Sequence, residues 1–214
     1  MFHPYDRNTW ERAEHFRYYR EFLPCQYSLT AELDMTRFLA ALRSRGLKSY
    51  PATLWCIAAV VNSEKEYRMA VDREGRPGYF DVTHPNYTIF HPDDHTFSDL
   101  WTAYDPDFNT FYRAVTEDME RYRNTKGPKP KPGQPENFFC ASCVPWLHYT
   151  GYSSVIPGGS PNLFPIVTYG KFQEQGKAVT VPCTLTIAHA ACDGWHSARF
   201  FQLLQEKLDG FPDF

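Results

Sequence analysis

The chain has 214 residues, 43% of them hydrophobic and 17% aromatic, and a net charge of −3. That length and composition fit one domain, 1–214, with a sizeable core and exclude wholesale disorder. The longest apolar run, Leu54 to Val61, is far short of the ~20 residues that cross a bilayer. The scattered basic residues form no stripe for nucleic acid. No basic region followed by an apolar stretch opens the chain, so a cytoplasmic protein is expected.

In chain order, Tyr27–Leu33 alternates as a strand. Met35, Phe38, Leu39 and Leu42 then follow helical spacing, with Asp34 as N-cap and Gly46 as stop. Pro51 is expected to open a buried helix through Val61. Tyr67–Val71 and Tyr79–Val82 flank a turn, and Tyr87–His91 reads as a strand. Phe108, Phe111, Tyr112, Val115, Met119 and Tyr122 make a long helical stripe. The Pro/Lys stretch 127–135 should be an exposed loop. Phe138–Trp146, Phe164–Phe172 and Ala178–His189 are further strands, and the last helix, from near Ser197, ends near Gly210. Strands interleaved with helices predict an α/β fold with a mixed β-sheet flanked by helices.

The chemistry concentrates at the end of the strand Ala178–His189. Val179, Val181, Cys183, Leu185 and Ile187 share one face, and His189 continues that row. A histidine leaving a buried row, with Asp193 four residues on, suits a rigidly held general base. It equally suits a satisfied core histidine and a helix-capping aspartate. Cys140 and Cys143 form C-x-x-C, but Pro145 follows where a redox motif needs a helix. His91 and His95 flank Pro92, which disfavours a helical metal site, and no third ligand is evident. His196 is expected at the surface. No Walker loop, G-x-G-x-x-G or G-x-S-x-G occurs.

HAACDG, from His189 to Gly194, resembles the H-x-x-x-D-G motif of the coenzyme A-dependent acyltransferases. WERAEHFRYYR from Trp10, LPCQYSLT from Leu23, SCVPW from Ser142 and CDGWHSARF from Cys192 narrow the resemblance to the chloramphenicol acetyltransferase family. YPA from Tyr50, EYRMA from Glu66, TIFH from Thr88, TFS from Thr96 and PIVT from Pro165 follow in the family's order, covering nearly the whole chain. The resemblance implies a single-domain acyltransferase fold and acetyl transfer to the 3-hydroxyl of chloramphenicol. Acetyl-CoA would be a co-substrate, with no bound cofactor and no metal. It implies His189 as general base, Ser142 as oxyanion donor, and Asp193 with Arg12 as a structural ion pair.

By the same resemblance Tyr18, Tyr19, Leu23, Cys25, Phe97, Tyr152 and Thr168 would line the acceptor pocket, and Trp146 the CoA path. A homotrimer with active sites at subunit interfaces is implied, and neither nucleic acid nor membrane is a partner. Departures from the family pattern fall at Ala188, at Asp99, in 151–162 and in the Pro/Lys loop, most of them on the acceptor side. A different hydroxyl acceptor, or a non-catalytic drug or acyl-CoA binder, are the alternatives.

Overall fold

The computed structural model describes residues 1–154 and 161–211. Its principal sheet is organised by the strand that the alternation marks most clearly. This is β10 (Ala178–Ala188), which pairs over Thr180–Ala188 with β2 (Gln26–Asp34) on one side and over Cys183–Thr186 with β8 (Ile166–Tyr169) on the other. β7 (Phe138–Cys143), β5 (His84–His91) and β6 (Thr96–Trp101) complete the order β2-β10-β8-β7-β5-β6, and β9 (Gln173–Gln175) pairs with the start of β10. β8, β7 and β5 run parallel, while the remaining pairs are antiparallel. The sheet is mixed, as the interleaving of strands and helices implied.

The two faces of β10 differ chemically. Val181, Cys183, Leu185 and Ile187 are buried with apolar residues of α2 (Thr36–Arg45), α3 (Ser49–Val61) and α5 (Gly194–Asp209). α4 (Phe108–Tyr122) packs on α3 and presents its Phe108, Phe111 and Val115 to the same core. On the opposite face hydroxyls pair across strands, Thr184 with Thr30 at 2.7 Å and Thr186 with Ser28 at 2.6 Å. Buried threonines satisfied by neighbouring strands avoid the cost of an unpaired hydroxyl. Tyr149, from the connection after β7, lies over this polar face, donating to the Thr168 carbonyl at 2.5 Å and accepting from Thr184 at 3.2 Å.

A small sheet, β1 (Phe2–Pro4), β4 (Pro77–Phe80) and β3 (Met69–Val71), stands beside the principal one. α1 (Ala13–Arg17) runs directly into a π-helical turn over Tyr18–Phe22. Several boundaries differ from the sequence expectations. Met35 occupies the N-cap of α2, while Asp34 accepts from the Thr36 amide at 2.8 Å. α3 begins at Ser49, two residues before Pro51, and α5 begins at Gly194, capped by Asp193. Glu66–Arg68 is a 3₁₀ turn, leaving the strand to start at Met69, and the strand after the turn runs Pro77–Phe80.

The strand expected over Phe138–Trp146 stops at Cys143, and that over Phe164–Phe172 spans only Ile166–Tyr169. β6 was not among the expected strands; its ladder to β5 forms it. The stretch 127–135 folds back on the sheet. Lys131 forms an ion pair with Asp118 at 2.6 Å and lies over the Trp101 ring, while the Trp101 indole donates to the Pro132 carbonyl.

Candidate active site

β10 ends at Ala188, and the next amide, that of His189, donates to the Cys25 carbonyl at 3.0 Å. The backbone entering β2 therefore fixes where the histidine leaves the sheet. Its ring lies flat on Tyr19, with centroids 3.8 Å apart and planes within 7°, and the Tyr27 ring meets it edge-on at 5.3 Å. Tyr27 in turn hydrogen-bonds Ser197 of α5 at 2.8 Å, and burial pushes its phenol up to about 12, so it stays neutral. Nδ1 of His189 is enclosed, with no hydrogen-bond partner among the described residues.

The turn after His189 is braced by Asp193. One carboxylate oxygen accepts from the Trp195 amide at 3.1 Å and from His196 Nδ1 at 2.8 Å, and the other accepts from Arg12 at 2.7 Å. Burial disfavours the Asp193 charge, yet the hydrogen bonds from Arg12 and His196 prevail and hold the carboxyl well below the usual range. His196 is half-buried, not a surface residue as expected: its ring donates to the Asp193 carboxylate that caps α5, and its carbonyl accepts from Tyr67. The ring's short bond to the carboxylate makes Nδ1 a donor.

A second cluster forms where two parallel strands separate. β5 and β7 pair from His84↔Phe138 to Tyr87↔Ala141 and then part, while β7 stays paired with β8 through Ser142↔Thr168 and Cys143↔Tyr169. A crevice outside the carboxyl ends of parallel strands is the usual place for a ligand. Here a cavity of about 630 Å³ opens, lined by residues including Tyr50, Thr88, Trp146 and Phe172, with Arg123 and Lys171 as its cations. Ser142 lies at the fork, its Oγ 3.4 Å from Thr88 Oγ1. Beside it Thr168 is buried, and its hydroxyl oxygen has no partner among the described residues.

Arg12, Tyr18, Tyr19, Leu23, Cys25 and Asp193 belong with His189 or the helical turn leading to it. Tyr18 and Leu23 are exposed there beside Phe22. Phe97, Trp146, Tyr152 and Thr168 belong with Ser142. Phe97 is exposed opposite Phe90 on β6, Trp146 meets Phe90 edge-on, and Tyr152 packs near Tyr149. Ser142 pairs with Thr168 and Thr168 with Thr184, and His189 lies five residues beyond Thr184. Two strand spacings of ~4.8 Å and five residues at ~3.3 Å separate Ser142 from His189 by roughly 19 Å. The two groups do not meet within one chain.

Sequence reasoning missed Thr88, Tyr27 and His196 as parts of these clusters. Tyr27 was detectable only through register, since it faces Ile187 across the β10–β2 ladder. Cys140 and Cys143 lie on a strand three residues apart and so point to opposite faces. Burial pushes each thiol up to about 11, leaving both as inert thiols. Among the described residues no cluster of three metal-ligating side chains occurs.

The fold is that of the coenzyme A-dependent acyltransferases. A solved chloramphenicol acetyltransferase superposes with a TM-score of 0.86 over 97% of this chain and 100% of that one, at 23% identity. A dihydrolipoamide acetyltransferase from Azotobacter vinelandii gives 0.66 over 88% and 83%, at 15% identity. The chloramphenicol acetyltransferase family model matches residues 1–205. A chloramphenicol acetyltransferase of Streptomyces acrimycini is 40% identical over 205 residues, 96% of this chain and 93% of that protein. One of Clostridium perfringens is 38% identical over 206 residues, 96% of this chain and 94% of that protein. The chain belongs to the chloramphenicol acetyltransferase family.

Proposed function

We propose that the protein transfers the acetyl group of acetyl-CoA to the 3-hydroxyl of chloramphenicol, with His189 as general base and Ser142 as oxyanion donor. The observation that carries this reading is the His189 ring, clamped flat on Tyr19 at the end of β10 with its Nδ1 enclosed. Nε2 is then the nitrogen for the acceptor proton. As that proton moves to Nε2, the acceptor oxygen attacks the thioester carbonyl, and the tetrahedral oxyanion accepts from the Ser142 hydroxyl. Collapse expels the CoA sulfur, and His189 returns the proton to it. No acyl-enzyme forms, and no metal or resident cofactor enters the reaction.

The acyl donor fits the cavity at the β5–β7 fork, where Arg123 and Lys171 suit its phosphates and Trp146 the pantetheine arm. The acceptor lies on the side of Thr168, Phe97 and Tyr152, with Tyr18, Tyr19, Leu23 and Cys25 supplied from beside His189. Because the two halves lie ~19 Å apart in one chain, His189 of one copy serves Ser142 of another. Exposed Tyr18, Phe22 and Leu23 near His189, and exposed Phe90, Phe97 and Trp146 near Ser142, support two different contact surfaces. Two unlike surfaces join head to tail and close a ring, which we assign as a homotrimer of single-domain chains, 1–214. The compartment this reading assigns is the cytoplasm, where acetyl-CoA is available.

The test is thiol release from acetyl-CoA with and without chloramphenicol. Release that depends on the antibiotic and is abolished in His189→Ala supports reaction, acceptor and base together. Release only with another alcohol overturns the acceptor. Tight drug binding without release for any acceptor makes the protein a binder.

A further inference from the structure

The wall of the cavity at the β5–β7 fork includes a stretch that no strand holds. β8 ends at Tyr169 and β9 begins at Gln173, and between them Gly170, Lys171 and Phe172 all line the cavity. Their backbone is fixed by other contacts. The Gly170 amide donates to the Pro182 carbonyl at 2.9 Å. The Lys171 amide donates to the Leu147 carbonyl at 2.9 Å, and the Lys171 carbonyl accepts from Nδ1 of His148 at 3.0 Å. Both backbone groups of Lys171 are thereby answered by two consecutive residues of the connection after β7.

A carbonyl oxygen only accepts, so Nδ1 of His148 carries the hydrogen. Nε2 lies 3.9 Å from the Glu32 carboxylate of β2, too far for a hydrogen bond, so the bond to Lys171 is the one that sets the ring. The two segments can meet because position 170 has no side chain: a Cβ there would lie 2.7 Å from the Leu147 carbonyl oxygen and 2.8 Å from Pro182 Cγ. The two cations of the cavity differ. Arg123 is paired with Glu120 at 3.2 Å, whereas the Lys171 ammonium forms no ion pair among the described residues. Lys171 is thus the cation left for an anionic ligand, and His148 holds its backbone.

We propose that His148 is a positioning residue for the acyl donor: by holding the Lys171 carbonyl, its ring fixes the lysine cation and the Phe172 side chain where a phosphate-bearing donor meets the cavity wall. This rests on the acetyltransferase reading above, in which Lys171 meets the phosphates of acetyl-CoA. His148 does not line the cavity, so it acts through the backbone of 170–172 and not by touching a substrate. Without its bond the Lys171 carbonyl turns to water, and the segment no longer has one position to offer the donor. Ser142 stays paired in the β7–β8 ladder and His189 stays at the end of β10. The loss therefore falls on KM for acetyl-CoA, with kcat and KM for chloramphenicol in place.

The experiment measures kcat and KM for acetyl-CoA, and the Kd of CoA by calorimetry, in the wild type, H148A, H148N and H148Q. The Asn amide nitrogen takes nearly the place of Nδ1 and still donates, whereas that of Gln reaches toward the place of Nε2. H148A and H148Q are expected to raise KM for acetyl-CoA and Kd for CoA about fivefold, as loss of one hydrogen bond does, with kcat within about twofold. H148N restores most of the affinity, and H148A added to Lys171→Ala gives little further rise. Thermal melting checks folding, and if H148A melts below the assay temperature the comparison of H148N with H148Q carries the test. KM unchanged in folded H148A, or H148N no better than H148Q, overturns the positioning role alone, since the wild type still binds CoA and releases thiol. Neither CoA binding nor thiol release by the wild type overturns the acetyltransferase reading and the role of His148 with it.

Discussion

Co-refolding His189→Ala chains with an equal amount of Ser142→Ala chains is expected to restore turnover that neither variant has alone. Removing a general base costs about 10²–10⁴ in rate. Removing one oxyanion donor costs about 10²–10³. If each site takes Ser142 from one chain and His189 from another, random mixing gives about a quarter of the sites an intact pair, from the head-to-tail arrangement. The ~19 Å between the two residues in one chain dictates that outcome. It exceeds any reach of a histidine and a serine toward one carbonyl. Thiol release in the mixture should therefore approach a quarter of the wild-type rate, far above the mean of the two variants. A mixture that never exceeds that mean refutes the reasoning, because it places both groups of each site in the same chain.

Further outcomes follow from the geometry. A double-mutant cycle of Arg12→Met with Asp193→Asn should give a coupling of about 1–2 kcal/mol in urea unfolding, between the exposed and buried limits for ion pairs. Asn retains the cap, so Asp193→Ala should cost about 1 kcal/mol more than Asp193→Asn; a coupling near zero would sink the bracing role. Because the folded-state pKa of Asp193 is depressed, its charge contributes fully above the unfolded value near ~3.9, and the difference between wild type and Asp193→Asn should shrink as pH falls below that. Tyr19→Ala, which removes the ring stacked on His189 at 3.8 Å, should lower kcat while leaving KM for acetyl-CoA within about twofold; a change in that KM alone would contradict it. Gly170→Ala should fail to reach wild-type stability, since an added Cβ would lie 2.7 Å from the Leu147 carbonyl oxygen beside the cavity; an unchanged Tm would show that this connection gives way freely.

The sequence carried the parts of the fold that local periodicity encodes. The alternation of β10 and the stripe of α4 are both present with nearly the expected limits. The helix stop at Gly46 also stands, with φ 66°. What failed was non-local. β6 is held as a strand by its ladder to β5, a pairing between distant residues that local sequence does not encode. The stretch 127–135 is the largely exposed loop that its prolines imply, but Lys131 is tied to Asp118 and Trp101 by contacts that spacing does not reveal. His196 looked like a surface residue because its partner is a cap, and a cap is defined by where the helix begins.

The site divides along the same line. His189 and Asp193 were visible as candidates in six consecutive residues, and only the family resemblance favoured chemistry over core packing. Ser142 had no local distinction at all. Its importance comes from the fork between β5 and β7, which depends on which strands are neighbours and where their pairing stops. That fork lies at the carboxyl ends of the parallel strands, whereas β10 runs antiparallel to β8 and delivers His189 to the other end of the sheet. If His189 is the base and Ser142 the oxyanion donor, as proposed, one chain can use them together only through a second copy. In the proposed assembly, the aromatic residues exposed at each end would be covered by the neighbouring copy. The proposed function thereby makes assembly and catalysis one requirement, set by the direction in which β10 enters the sheet.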